Sequence, residues 1–194
     1  DEAGRKIREA FVPREGWQFV SADYSQIELV VLAALSGDEA LSGAFAQGQD
    51  VHRATGALIF GTDPGEITSE QRRMAKTINF GVMYGMSAFR LSRDLGLPRA
   101  EADAFIERYF ATYSGVRRFL DDTIATAEKE GYVTTLLGRR RALPDINSKN
   151  RPVRMQAQRI AINTPIQGTA ADIMKKAMLS VFRRLEKEQR SARL

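Results

Sequence analysis

Arg72, Arg73, Lys76, Phe80 and Tyr84 lie in the run EQRRMAKTINFGVMYG, residues 70–85. Steps of three or four residues return to one face of an α-helix, because each residue turns roughly 100°. The run therefore sets cations at one end of a stripe and aromatic rings two turns further along. Phosphate oxygens take charge-assisted hydrogen bonds from the first, and a base or sugar packs on the second, so the chemistry on offer is nucleotide binding. Met74, Ile78 and Val82 recur every fourth residue about two hundred degrees round the same helix and form the core-facing side. A solvated basic face over a packed aromatic has the same spacing, and the stripe alone leaves both readings open.

Thr68, followed three residues later by Gln71, has the pattern of a capping box, in which two side chains satisfy otherwise orphaned backbone donors. The helix is thus expected to begin near Ser69 and to run over about 69–86. Its first turns carry cations where the macrodipole is already positive, which is mildly unfavourable. A bound anion resolves that conflict.

A second centre is expected at Asp23. Residues 19–22 form a short run with aromatic and β-branched members after Gly16, which reads as a buried strand ending at Asp23. A carboxylate there suits Mg2+, which takes hard oxygen ligands and shares them with substrate phosphates. Alternatively, Asp23 or Ser25 is the N-cap of a helix over 26–35. His52 is the only histidine in the chain, and a lone histidine is commonly structural.

The run RRMAKTINFGVMYG resembles the nucleotide-binding fingers helix of family A DNA polymerases, the bacterial DNA polymerase I type, with its pattern R-x-x-x-K-x-x-x-F-x-x-x-Y-G. Residues 23–36, DYSQIELVVLAALS, resemble the catalytic palm motif of the same family. GYVTTLLGRRRALPDI and NTPIQGTAAD extend the likeness over essentially the whole chain. Val30 and Ala34 stand where the family motif has arginine and histidine.

The resemblance implies DNA-templated addition of deoxynucleoside triphosphates to a primer 3′-hydroxyl, with release of pyrophosphate, in DNA replication and repair. It makes Asp23 and Lys76 the catalytic residues, with two Mg2+ ions held by Asp23 and the Tyr24 carbonyl. Tyr24, Gln26, Ile27, Glu28, His52, Arg72, Lys76, Phe80 and Tyr84 are the implied nucleotide-binding residues. Among them Glu28 crowds the ribose 2′ position, Phe80 packs on the incoming nucleotide, and Tyr84 takes the template-base stacking position. Arg139, Arg140, Arg159, Asn163 and Gln167 are the implied contacts with primer-template DNA. The implied fold is α+β and predominantly helical: fingers helices with fragments of an antiparallel palm sheet. Residues 1–28 are expected as partial palm, 29–163 as fingers and 164–194 as a partial palm helix.

The family's second catalytic carboxylate motif does not occur in these residues, so the chain is expected to be weak or inactive alone. Glu28, at an odd separation from Asp23, would face the other way along a strand unless the chain turns helical between them. Asp145 and Asp172 are the other candidates. A noncatalytic helical nucleic-acid-binding module is the alternative reading. A single-subunit RNA polymerase is a third, against which Glu28 and Tyr84 weigh.

The 194 residues, 43% hydrophobic, can build one compact domain or one plus part of a neighbour. A net charge of +5 and a pI near 9.7 favour a polyanionic partner. Without cysteine there is neither a disulfide nor a thiolate-bound zinc. No apolar run is long enough for a membrane span, and the expected protein is a cytoplasmic monomer. Further helices are expected over 38–47, 98–113, 115–129 and 153–187, the last kinked by Pro165. A strand is expected over 132–137, with Arg139, Arg140 and Arg141 in the turn after it.

Overall fold

The computed structural model describes residues 2–194. In chain order the helices are α1 (Glu2–Glu9), α2 (Ile27–Ser36), α3 (Glu39–Ala46), α4 (Val51–Phe60), α5 (Ser69–Met83), α6 (Ala88–Leu95), α7 (Arg99–Thr112), α8 (Ser114–Glu130) and α9 (Arg151–Lys187). Between α8 and α9 lies a hairpin of β1 (Tyr132–Thr134) and β2 (Arg140–Ala142), antiparallel with Tyr132 opposite Ala142. The fold is predominantly helical with a two-stranded antiparallel sheet, in agreement with the expected class.

Helix α2 is apolar nearly all round because it packs against α8 and α9 together; Leu29 and Leu32 are wholly buried. Asp38 then closes the next corner. Its Oδ1 accepts from the Leu41 N–H at the start of α3, and its Oδ2 from the Gly115 N–H at the start of α8, both at 2.9 Å. One buried carboxylate thereby caps two helix N-termini, where both macrodipoles favour negative charge. A Cβ on Gly115 would lie 2.9 Å from the Asp38 Cα, so that residue must be glycine for the junction to close.

The start of α5 follows the sequence pattern. The Thr68 N–H donates to Gln71 Oε1 at 3.0 Å, and the Gln71 N–H donates to Thr68 Oγ1 at 3.1 Å. Ile78 and Val82 enter the core and Met74 packs at its edge, as the spacing predicts. The buried face is wider than that stripe, for Ala75, Asn79 and Met83 are also fully buried. Helix α4 packs closely on this side: a Cβ on Gly56 would sit 3.6 Å from that of Ala75. The helix ends at Met83 with Tyr84 as its C-cap, a little short of the expected residue 86.

The expectations for residues 19–22 and for the hairpin are corrected. Residues 19–22 form no strand; they run as exposed coil, with Phe19 at 68% and Val20 at 92% exposure. A strand needs a ladder partner, and none of the described residues pairs with this segment. The strand expected over 132–137 stops at Thr134, because the next residues turn to dock on α9, where the Leu136 N–H donates to Thr169 Oγ1 at 2.9 Å. Arg140 and Arg141 consequently lie in β2, not in the turn. The helix expected over 153–187 is present as α9, which begins two residues earlier, at Arg151, and includes the buried Pro165. No helix among the described residues is long and apolar enough to cross a membrane.

Candidate active site

Two elements meet at the site. Gln26, left-handed at φ 56°, turns the chain from coil into α2 and stands at the N-cap position without a side-chain cap bond. Neither Asp23 nor Ser25 is the cap, and a non-glycine residue in that conformation costs about 1–2 kcal/mol. The turn places Asp23 before the helix and Glu28 in its first turn. Both carboxylates line one open groove of about 460 Å³, although a strand would have sent them to opposite faces. Tyr24, Gln26 and Ile27 form the same wall; Phe80 comes from α5 and Gln167 from α9, over a floor of Ala170, Ala171 and Met174. A larger groove of about 650 Å³ lies elsewhere, between α8, β1 and Pro165, and contains none of the expected site residues.

The Tyr84 hydroxyl donates to Glu28 Oε2 at 2.6 Å and thereby ties the end of α5 to the start of α2. Burial pushes the Tyr84 phenol up to about 12, with Glu28 acting in the same direction and Gln167 against it. Tyr84 stacks on Phe80 with ring centroids 6.2 Å apart, and Phe80 lies 5.9 Å from the His52 ring. The aromatic end of the stripe is therefore continuous with the Asp23 groove.

At the other end, Arg72 Nε donates to Asp50 Oδ2 at 2.7 Å. The other oxygen of Asp50 caps α4, accepting from the His52 and Arg53 N–H groups. These donors hold the Asp50 carboxyl below its ordinary value despite the opposing effect of burial. Arg73 pairs with Glu70 on the exposed side. Lys76 is exposed and makes no ion pair or hydrogen bond to the described residues, so its ammonium is free for a ligand.

His52 is buried at 2% exposure, with Asn79 Nδ2 3.0 Å from its Nδ1. Burial lowers its pKa below the ordinary 6.5, the Asp50 charge opposes this, and Arg72 and Lys76 add to the lowering. The unfolded chain takes up a proton as pH falls through about 6.5, while folded His52 stays neutral until lower pH. Its contribution to stability is therefore complete above that value and declines below it. Since His52 is the only histidine, the melting temperature of the chain is expected to fall between pH 7.5 and 5.5, and His52→Gln to flatten that slope. Equal slopes in the two proteins would contradict the assignment.

The residues expected to meet DNA fall into two groups. Arg159, Asn163 and Gln167 lie on one side of α9: Arg159 flanks Gly85, Gln167 reaches the groove, and Asn163 keeps a buried Oδ1 without a hydrogen-bond partner. Arg139 instead holds the hairpin to α9, donating from Nε to Asp172 Oδ1 at 2.9 Å and from Nη2 to the Gly168 carbonyl at 3.0 Å. The Arg140 guanidinium lies over the Tyr132 ring at 4.7 Å and stays exposed. Asp172 is committed to Arg139, Asp145 is exposed, and neither lines the Asp23 groove.

Residues missed from sequence are Asp50, Asn79, Thr55 and Tyr113. Asn79 alone carried a signal: it is a polar residue on the buried side of α5, which asks for a partner. For a metal, the groove is lined by Asp23 and by Glu28, whose carboxylate is engaged by Tyr84; carboxylate oxygens are of the hard type that suits Mg2+. No group of three or more His, Asp or Glu comes together among the described residues.

Residues 1–194 match the model of DNA polymerase family A. The thermostable DNA polymerase I of Thermus filiformis is 55% identical over 183 residues, which cover 94% of this chain and 22% of the relative. DNA polymerase I of Geobacillus stearothermophilus is 52% identical over 194 residues, covering 100% of this chain and 22% of the relative. Among solved structures, the POL domain of Pol1 from M. smegmatis, in complex with DNA primer-template and dNTP, superposes with a TM-score of 0.89 at 44% identity, covering 97% of this chain and 34% of that one. The chain thus spans about a fifth of the length of these curated relatives. With a groove that joins both motifs and a match along its whole length, the chain belongs to DNA polymerase family A.

Proposed function

We propose that this chain forms the nucleotide-binding part of a DNA-directed DNA polymerase, which adds deoxynucleoside triphosphates to a primer 3′-hydroxyl on a DNA template. The observation that carries the reading is the Tyr84–Glu28 hydrogen bond, which joins the cation-and-ring stripe of α5 to the Asp23 groove. Lys76 and the outward nitrogens of Arg72 would grip the triphosphate, with His52 beside them, while Phe80 offers its ring to base or sugar. Glu28 would crowd a 2′-hydroxyl, favouring deoxyribose. Asp23 and the Tyr24 carbonyl would hold Mg2+, which when bound neutralises phosphate charge and acidifies the attacking hydroxyl. The side chains bind and orient, and such transfers depend mainly on position and charge.

Residues 29–163 correspond in this reading to fingers, and 1–28 and 164–194 to parts of the palm. The second boundary falls inside α9 beside Pro165. Arg159, Asn163 and Gln167 would follow the primer-template, with Asn163 and Gln167 offering donors and acceptors to minor-groove edges. Arg140, whose exposed guanidinium stays accessible over Tyr132, would meet the DNA backbone. Arg139, tied to Asp172, would act chiefly by holding the hairpin in place. The second catalytic carboxylate would come from another part of the polymerase.

A chimaera tests this directly: the present residues replace the matching segment of the Geobacillus stearothermophilus enzyme, and extension of a labelled primer is followed with magnesium and four deoxynucleotides. Extension that disappears with Asp23→Ala is expected. A folded chimaera that binds DNA without extending it would favour a noncatalytic nucleic-acid-binding module.

A further inference from the structure

Behind the stripe lies a chain of buried polar side chains. His52, Asn79, Thr55 and Tyr113 are each no more than 2% exposed, and they come from three different segments. Thr55 Oγ1 donates to Asn79 Oδ1 at 3.1 Å and stands 3.2 Å from the Tyr113 hydroxyl. A hydroxyl has one proton; with that of Thr55 given to Asn79, Tyr113 must donate to Thr55. Asn79 then has its oxygen engaged and its amide nitrogen toward His52 Nδ1 at 3.0 Å. An amide nitrogen can only donate, so Nδ1 can only accept.

We propose that Tyr113, Thr55 and Asn79 are positioning residues that set the direction of this hydrogen-bond chain and hold His52 as the neutral tautomer with its proton on Nε2. Nε2 makes no bond to the described residues, and the His52 ring faces Phe80 beside the Asp50–Arg72 pair. In the nucleotide reading, on which this step rests for its purpose, His52 would present an uncharged N–H donor to a triphosphate already faced by Arg72 and Lys76. A third cation between those two would be repelled by both, and a neutral donor adds a hydrogen bond without that cost. The opposite chain, with the Asn79 amide turned over, Thr55 donating to Tyr113 and the proton on His52 Nδ1, would satisfy the same atoms and leave Nε2 a bare acceptor, unsuited to a phosphate.

One histidine in the chain makes the test unambiguous. The nitrogen resonances of 15N-histidine-labelled protein at pH 7 distinguish the two tautomers and the imidazolium. The expected spectrum has a protonated Nε2 and an unprotonated Nδ1. Thr55→Val, which removes the hydroxyl at nearly constant volume, is expected to mix the tautomers and to weaken binding of deoxynucleoside triphosphate with magnesium about fivefold. Thr55→Ser should restore both. A proton on Nδ1 in the unmodified protein, or an imidazolium, overturns the proposal, and that spectrum requires no variant to fold. If the tautomer is as expected but Nε2 does not respond to triphosphate and magnesium, the positioning chain stands and the nucleotide reading is what fails.

Discussion

Lys76→Ala is expected to weaken magnesium-dependent binding of deoxynucleoside triphosphate about thirtyfold, while leaving the melting temperature unchanged. Of the three cations on α5, Arg72 is tied to Asp50 and Arg73 to Glu70. Lys76 is exposed and makes no such bond among the described residues, so the fold does not depend on its charge. A charge-assisted hydrogen bond to phosphate contributes about 2 kcal/mol, which sets the thirtyfold figure. Calorimetric titration with Lys187→Ala as control reads it, because Lys187 lies at the far end of α9. Equal losses in the two variants would mean diffuse attraction to a basic surface rather than a site.

Gly85→Ala is expected to destabilise the chain and to loosen the site together. Gly85 has φ +67°, and a Cβ there would lie 2.7 Å from Ile162 Cδ1 on α9. Left-handed backbone costs an alanine about 1–2 kcal/mol, and forcing Ile162 aside adds about as much again. A loss of about 3 kcal/mol should lower the melting temperature by about 10 °C. It should also pull Tyr84, the preceding residue, away from Glu28. An unchanged melting curve would show that α5 and α9 do not meet as closely as this geometry requires. The glycine that follows Tyr84 is thus accounted for by the packing of α9 against the end of α5.

How far the sequence could be read depended on whether the signal was local. Thr68 and Gln71 lie three residues apart and mark the start of α5, and the period of Ile78 and Val82 marks its buried face. The apolar character of residues 19–22 suggests a strand, but a strand exists only when a partner pairs with it, and residues 19–22 find none among those described. The Arg139–Asp172 pair could not be read from sequence, because the two residues lie 33 positions apart and are brought near only by docking of the hairpin on α9. Glu28 and Tyr84 were both singled out, yet their contact spans 56 positions and could not be read from either motif. Asn79, a polar residue on a buried stripe, implies a partner, but its partners sit on α4, which no spacing within α5 reveals.

The central claim is that the α5 stripe and the Asp23 groove are one site for one ligand. The measurement that tests it most directly is the affinity of deoxynucleoside triphosphate with and without magnesium, in the unmodified chain and in Asp23→Ala. Binding that tightens with magnesium, and that loses this gain in Asp23→Ala while keeping the weaker magnesium-free component, is the predicted result. An Asp23→Ala chain that responds to magnesium as the unmodified one does would contradict it, and would leave α5 as an anion-binding helix separate from the carboxylates.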